Sequence, residues 1–395
     1  MMISKEVKAD LKKGSWVRQM FDRGAELKKQ SGEDKVLDFS LGNPSIEPPQ
    51  EFFNGIKELL DEAGKGKHRY MPNAGFSNIR AAVANQMQKV HNLEFSDKHV
   101  VMTVGAGGGL NISLKSILNP LDVVVVLAPF FMEYEFYVKN HGCMIRKVDT
   151  NEEFMPDLEA LEAAMSDKVR AVLVNSPNNP SGAVYSQEVM NGIGDVLKRA
   201  EKKYNRTIYL VSDEPYSKIL YDLAEHGSVF KAHVNSIIVS SHSKDFGLAG
   251  ERIGYVVVNP EIKNGEELID AIIFCNRTLG FVNAPALIQR ILPRLYASKD
   301  STADYSPLKE LACNILREAN YEFIKPKGTF YIFPKSPLAN DLEFVDLAFK
   351  NNVLLVPGTG FGRSGYFRMS FAVEEDTLLK AKDVLKNLAD QAAGG

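Results

Sequence analysis

Four segments of the chain carry residues that could do chemistry, and each follows a short apolar run. Ser241-His242-Ser243-Lys244 comes after Ile237–Ser240, and a lysine just past a buried strand departs from the solvated position this side chain normally takes. Desolvated there, its amine would be a nucleophile; at the surface it would be an ordinary loop lysine. Asp213-Glu214-Pro215-Tyr216 follows Ile208–Val211 and offers a carboxylate and a phenol, although alone it also suits a helix N-terminus. Asn175 to Gly182 reads NSPNNPSG after Val169–Val174, a rigid turn whose amide side chains could donate to a phenolate or carbonyl oxygen, or could simply form a loop. Gly105-Ala106-Gly107-Gly108-Gly109 follows Val100–Val104 and leads into a helix. Such small residues let backbone N–H groups approach an anion, and the helix N-terminus adds partial positive charge, so the segment reads as a phosphate seat or as a tight turn with no ligand.

The elements that must position these segments alternate. Runs at Val100–Val104, Val123–Leu127, Val169–Val174, Ile208–Val211, Ile237–Ser240 and Tyr255–Val258 are too short for helices and continuously apolar, which predicts strands buried on both faces. Helical spacing lies between them, as in Leu110, Leu114, Ile117 and Leu118, or Leu158, Leu161 and Met165. The pattern predicts an α/β fold with a mostly parallel sheet and helices on both faces. The C-terminal third differs: a helical stretch from about Ala284 to Asn320, a strand at Gly328–Pro334, a helix around Phe344–Phe349 and a strand at Val353–Val356. The expected division is a large domain over residues 45–290 and a smaller α+β domain built from both chain ends, 1–44 and 291–395, with the amphipathic stretch that includes Met20 and Leu27 packing on the latter. Ligands of open α/β sheets bind beyond the carboxyl ends of the strands, where all four segments fall.

Composition excludes several function classes. The 395 residues, 45% hydrophobic, exceed the span of one core. Lys and Arg number 47 against 50 Asp and Glu, so the net charge of −3 gives no reason to expect a nucleic acid or anionic membrane partner. Cys143, Cys275 and Cys313 are odd in number and far apart, which fits a reducing compartment better than a disulfide framework or a CxxC site. The first residues lack an apolar signal core and no uncharged apolar run reaches about 18 residues, so a cytoplasmic protein without a membrane partner is expected. The seven histidines show no HExxH spacing, no GxSxG appears, and no metal is expected. A dehydrogenase is disfavoured because the glycine string has Leu110 at its sixth position and the next strand ends in Leu127-Ala128-Pro129, without an acidic residue for a ribose.

SxSK followed by FGLxGxRIGY, carried by Ser241–Tyr255, resembles the lysine signature of class I aminotransferases, pyridoxal-phosphate enzymes of fold type I like the aspartate aminotransferases. Further segments fall in family order: LGNP at Leu41–Pro44, YMPNAGFSNIR at Tyr70–Arg80, the glycine string, PFFMEY at Pro129–Tyr134, NSPNNPSG, SDEPY at Ser212–Tyr216, PGTGFG at Pro357–Gly362 and FRMSFA at Phe367–Ala372. The likeness spans nearly the whole chain.

The resemblance implies roles. Lys244 would hold pyridoxal 5′-phosphate as a Schiff base and then shuttle the substrate's proton. Asp213 would pair with the pyridine nitrogen, Tyr216 and Asn179 would bond the phenolic oxygen, and Phe131 would stack on the ring. The phosphate would sit on Ala106, Gly107 and Gly108 with Ser241, Ser243 and Arg252, and Tyr70 would reach it from the neighbouring subunit of a homodimer with a shared active site. Arg368 would bind the substrate α-carboxylate, with Gly42 and Asn179 beside it; the bland alternative for Arg368 is a surface salt bridge. Many relatives carry Trp where Phe131 stands. In some aspartate-specific relatives a second carboxylate meets a Lys of the phosphate loop or a partner-subunit Arg; here the loop is glycine, and Arg277 stands one position away from the expected place. Trp16 lies in the segment that closes over the site in relatives, or serves core or interface packing. The implied activity is ping-pong transamination between an L-amino acid, with aspartate a candidate, and a 2-oxo acid such as 2-oxoglutarate. A C–S β-lyase on the same cofactor is the alternative; a pyridoxal-phosphate-binding regulator is disfavoured because too few residues precede LGNP for a DNA-binding domain.

Overall fold

The computed structural model describes residues 3–13, 16–62, 64, 66–298 and 304–394. Its strands in chain order are β1 Leu37–Asp38, β2 Val100–Thr103, β3 Val123–Ala128, β4 Met144–Asp149, β5 Val169–Asn175, β6 Tyr209–Asp213, β7 Ser236–Ser241, β8 Gly254–Val258, β9 Tyr331–Ile332, β10 Val353–Leu354, β11 Val356–Pro357 and β12 Phe367–Ser370. Seven form one sheet in the order β2-β8-β7-β6-β5-β3-β4, parallel except for β8, which runs against both its neighbours.

Alternation along one strand explains the layers. In β3, Val123, Val125 and Leu127 pack with helices Ser77–His91, Gln187–Tyr204 and Ala286–Ala297, while Val124, Val126 and Ala128 pack with helices Gly105–Ile117 and Gly265–Thr278 on the other face. An apolar run without polar alternation therefore marks a strand covered twice, as expected. Edge strand β4 was not anticipated, because its sequence MIRKVD is charged and half solvated.

A second core joins Met20, Leu27, Val36 and Phe39 to Phe330, Phe344, Val356, Phe367 and Leu378, so the N-terminal helix Trp16–Ser31 packs on the C-terminal elements. Here the details depart from expectation. Strand Gly328–Pro334 shrinks to β9. The run Val353–Val356 splits into β10, paired parallel to β1, and β11, paired antiparallel to β12, because two small sheets share it. The expected helical stretch 284–320 contains two helices, Ala286–Ala297 and Ser306–Glu318, and residues 299–303 between them lie outside the described part. Neither β1 nor β12 was foreseen, and Arg368 lies within β12.

Register levels the ends that matter. Asn175 of β5 sits opposite Asp213 of β6, and Asp213 opposite Val239 of β7, so the residues that follow converge at the carboxyl edge. The glycine string is not a loop before a helix but the helix's first turn, beginning at Gly105 with φ 77°. Its glycines let this helix lie close on the sheet: a Cβ at Gly109 would come 2.6 Å from Val239 Cγ1 and 3.2 Å from Val256 Cγ2. Among the described residues no helix is long and apolar enough to cross a membrane.

Gly109→Ala sets two effects against each other. Alanine gains about 1 kcal/mol of helix propensity, whereas forcing the helix off β7 and β8 costs about 1–3 kcal/mol. Urea unfolding is expected to show a net loss of up to about 2 kcal/mol; a stabilised variant would show that the close approach is not needed.

Candidate active site

A cleft of about 570 Å³ opens at the carboxyl ends of β5, β6 and β7. It gathers Asn179, Asp213, Tyr216, Ser241, Ser243, Lys244 and Arg252 from those ends, Ala106 and Gly107 from the helix start, Phe131 after β3, and Gly42 and Arg368 from the second core. Residues far apart in the chain, Gly42 and Arg368 among them, thus face one space.

Asp213 ends β6, buried, and no helix starts there. Tyr134 OH donates to its Oδ2 at 2.5 Å, and Asn175 Nδ2 donates to its backbone carbonyl at 2.8 Å. Oδ1 has no protein partner. Burial pushes the carboxyl up to about 7, with the Tyr134 bond acting the other way. A buried carboxylate oxygen left bare costs free energy, so this atom calls for a cationic or N–H partner in the cleft.

Lys244 is not at the surface. Its Nζ donates to the Gly42 carbonyl at 2.5 Å and stands 5.8 Å from the Phe330 ring centroid. Burial, then the charges of Arg368 and Arg252, pull the amine down to about 8, within reach of the unprotonated form near neutral pH. At the helix start, Arg252 donates to the Ala249 carbonyl at 3.0 Å, and a Cβ on Gly105 would lie 2.6 Å from its Nη2. Arg252 adopts φ 52°, a left-handed turn that favours glycine, and its guanidinium lies beside Gly105 at the start of the helix. Buried Ser241 and Ser243 complete that end.

Arg368 is 2% exposed. Nη1 donates to Asn179 Oδ1 at 3.0 Å, Nη2 donates to the Ser40 carbonyl at 2.6 Å, and the guanidinium lies 4.4 Å from the Tyr331 ring centroid. Nε has no partner. The surface salt bridge is ruled out: among the described residues no carboxylate lies within ion-pair distance of Arg368, Lys244 or Arg252. Gly42 is held beside it by need of space, since a Cβ there would meet Tyr331 OH at 2.2 Å.

Some expected residues stand elsewhere. Gly108 does not line the cleft; its position in the first helical turn faces Val104. Tyr70, 90% exposed, lies outside its own chain's cleft, beside His68 and Arg69. Arg277 is exposed, over the Phe274 ring, and Trp16 packs against Gly360; neither enters the cleft. Sequence reading missed Tyr134 and Tyr331, whose OH meets Tyr216 OH at 3.0 Å, and Tyr137, whose OH would lie 3.2 Å from a Cβ on Gly107. Tyr134 stood inside the PFFMEY segment; a lone tyrosine in β9 carries no spacing signal.

These groups fit pyridoxal 5′-phosphate. The bare Asp213 Oδ1 suits a pyridinium N–H, the cradle of glycine and Arg252 suits a phosphate, and Lys244 supplies the amine. Among the described residues no group of three or more His, Cys, Asp or Glu could hold a metal ion.

Comparison with known proteins agrees. Residues 34–385 match the family model described as aminotransferase class I and II. A probable aspartate aminotransferase of Methanocaldococcus jannaschii is 30% identical over 360 residues, 89% of this chain and 93% of that protein. The aspartate/prephenate aminotransferase of Thermus thermophilus is 30% identical over 366 residues, 91% and 92%. Among solved structures, an amino transferase from Eubacterium rectale superposes with a TM-score of 0.94 at 33% identity, covering 99% of this chain and 100% of that one. The aspartate aminotransferase of Thermus thermophilus with maleate gives 0.87 at 26% identity, covering 98% and 100%. These relatives favour transamination over the C–S lyase and regulator readings.

Lys244 yields a pH test. Its folded value of about 8 lies below the ordinary lysine value, near 10.4. In that window the unfolded chain binds more protons, so stability rises with pH; below about pH 8 the burial penalty is present in full. Lys244→Met removes the penalty. The cofactor-free variant should be more stable than the parent at pH 7 by up to about 3 kcal/mol, an advantage that fades toward pH 10. Thermal unfolding across this range checks it; a constant difference would contradict the buried ammonium.

Proposed function

We propose, from the premise that this chain belongs to the class I and II aminotransferases and is a pyridoxal-phosphate-dependent transaminase, that the cleft between β6, β7 and Arg368 moves an amino group from an L-amino acid to a 2-oxo acid. The observation that carries the reading is three cations facing one cleft, Lys244 and Arg368 buried and Arg252 exposed, with no carboxylate among the described residues to pair them.

When bound, the cofactor supplies an aldehyde that joins amines and a ring that accepts the electron pair left as the Cα–H bond breaks. Asp213 Oδ1 would hold the proton on the ring nitrogen, while Tyr134 keeps Oδ2 occupied and the carboxylate aimed. Asn179 accepts from Arg368 through Oδ1, which leaves Nδ2 as its donor; with Tyr216 OH it would bond the ring's phenolic oxygen. Phe131 would lie against the ring. Ala106, Gly107, Ser241, Ser243 and Arg252 would hold the phosphate. Lys244 Nζ, displaced by the substrate amine, would take the proton from Cα and return it to the cofactor's carbon, a task suited to an amine with a lowered pKa.

Arg368 would grip the α-carboxylate with a two-pronged bond. With Lys244 and Arg252 committed to the cofactor, Arg368 is the one cleft cation left for a substrate carboxylate among the described residues, so donor and acceptor would take turns in a ping-pong cycle. Aspartate is the first donor to try, from the names of the relatives, and 2-oxoglutarate the first acceptor. We further read residues 45–290 as the cofactor domain, with 1–44 and 291–395 as a smaller domain that carries Arg368. Exposed Tyr70 supports a homodimer in which it reaches the partner's phosphate, and three buried free thiols support a cytoplasmic location.

Purified enzyme mixed with an amino acid should lose its visible cofactor band and regain it with a 2-oxo acid. Lys244→Ala should abolish both steps, and full activity in that variant sinks the reading. Arg368→Lys should lower kcat/KM by roughly 100-fold, the scale of losing a buried charge-assisted pair; an unchanged value would remove Arg368 from substrate binding. Pyruvate released from a cysteine conjugate without an acceptor would favour elimination instead.

A further inference from the structure

Flanking Lys244 in the chain, two residues before it and one after, His242 and Asp245 are buried and do not line the cleft. Asp245 accepts from Lys218 Nζ at 2.9 Å and meets His242 Nδ1 at 3.1 Å; His242 Nε2 meets Tyr296 OH at 2.7 Å. Lys218 stands 4.4 Å from the Phe246 ring centroid, and the His242 ring packs on Phe246, Tyr255 and Tyr296. The cluster borders a second cavity of about 530 Å³ behind the sheet, and none of its four polar members lines the active cleft.

The cluster ties three segments together. Lys218 lies two residues past Tyr216, in the turn after β6 that carries Asp213; Asp245 is the residue after Lys244; Tyr296 belongs to helix Ala286–Ala297. Asp245 is buried while the Lys218 side chain is 39% exposed, so the pair gives little net stability. What it adds is direction, since charged hydrogen bonds fix a distance and an angle where apolar packing would let the loop slide. Catalytic geometry tolerates shifts well under 1 Å.

We propose that Asp245, Lys218 and His242 are positioning residues that hold the Lys244 loop in register with the Asp213–Tyr216 turn. The proposal rests on the reading of Lys244 as the cofactor lysine. Its test compares Lys218→Met, which keeps the chain length and loses the charge, with Lys218→Arg, which keeps the charge, both as holoenzyme. Lys218→Met should lower kcat 10- to 100-fold while KM for the amino donor stays within threefold, because Arg368 is untouched. It should also speed amide exchange across residues 241–247 and weaken the visible circular dichroism of the bound cofactor. Lys218→Arg should restore kcat to within threefold of the parent. Should Lys218→Met fail to fold, Tyr296→Phe carries the test, with a two- to fivefold drop in kcat and the same faster exchange. The proposal is overturned if Lys218→Met, or Tyr296→Phe in its place, keeps parental kcat and exchange, or if Lys218→Arg is as impaired as Lys218→Met. A parent enzyme whose cofactor is not on Lys244 would instead defeat the functional reading.

Discussion

The structure depends on positive charge that the chain itself leaves unbalanced. Lys244, Arg252 and Arg368 face one cleft, two of them deeply buried, and among the described residues none has a carboxylate partner. Elsewhere the chain pairs its buried cations, as where Lys309 meets Asp222 and Glu310. Burying a charge without an opposite costs free energy that packing must offset. On the proposed reading the missing anions would be those of the ligands: a phosphate over the helix start and a carboxylate at Arg368. A net charge of −3 over the whole chain conceals this local excess.

The fold serves that arrangement by bringing two cores against one another. The parallel strands set Asn175 and Asp213 level at one edge, with Ser241 two residues further along β7, and the second core delivers Gly42, Tyr331 and Arg368 across the gap. Contacts cross the gap in both directions. Lys244 reaches back to the Gly42 carbonyl, Arg368 reaches forward to Asn179, and Tyr216 meets Tyr331. A substrate carboxylate bound at Arg368 would therefore draw on both cores at once.

Much of this was legible beforehand for physical reasons. A strand covered on both faces, such as β3 with its VVVVLA, announces itself as an apolar run, and residues just after such runs are where a parallel sheet binds ligands. Edge strand β4 was illegible because solvent lets it be charged, and β1 and β12 are too short to show a period, whereas β9, β10 and β11 fall in runs read as strands whose extent alone differs. Asp213 and Lys244 stood out by their place just past apolar runs and Arg368 through motif resemblance, and the structure sets all three on one cleft. Tyr134 and Tyr331 were not found: one tyrosine has no spacing to read, and its value lies in a partner far away in the chain, as Tyr134 with Asp213. The glycine string was placed correctly but misread as a loop, since its first turn is helical.

The central claim is that ligand anions complete the charge of this cleft, and thermal unfolding of the cofactor-free chain tests it most directly. Pyridoxal 5′-phosphate at about 100 times its dissociation constant should stabilise the chain by about 2.7 kcal/mol. A carboxylate substrate analogue should add to that gain in the parent but not in Arg368→Met. Arg252→Ala should lose most of the cofactor's effect. A melting temperature that neither ligand raises, or a gain retained in full by both variants, would contradict the account.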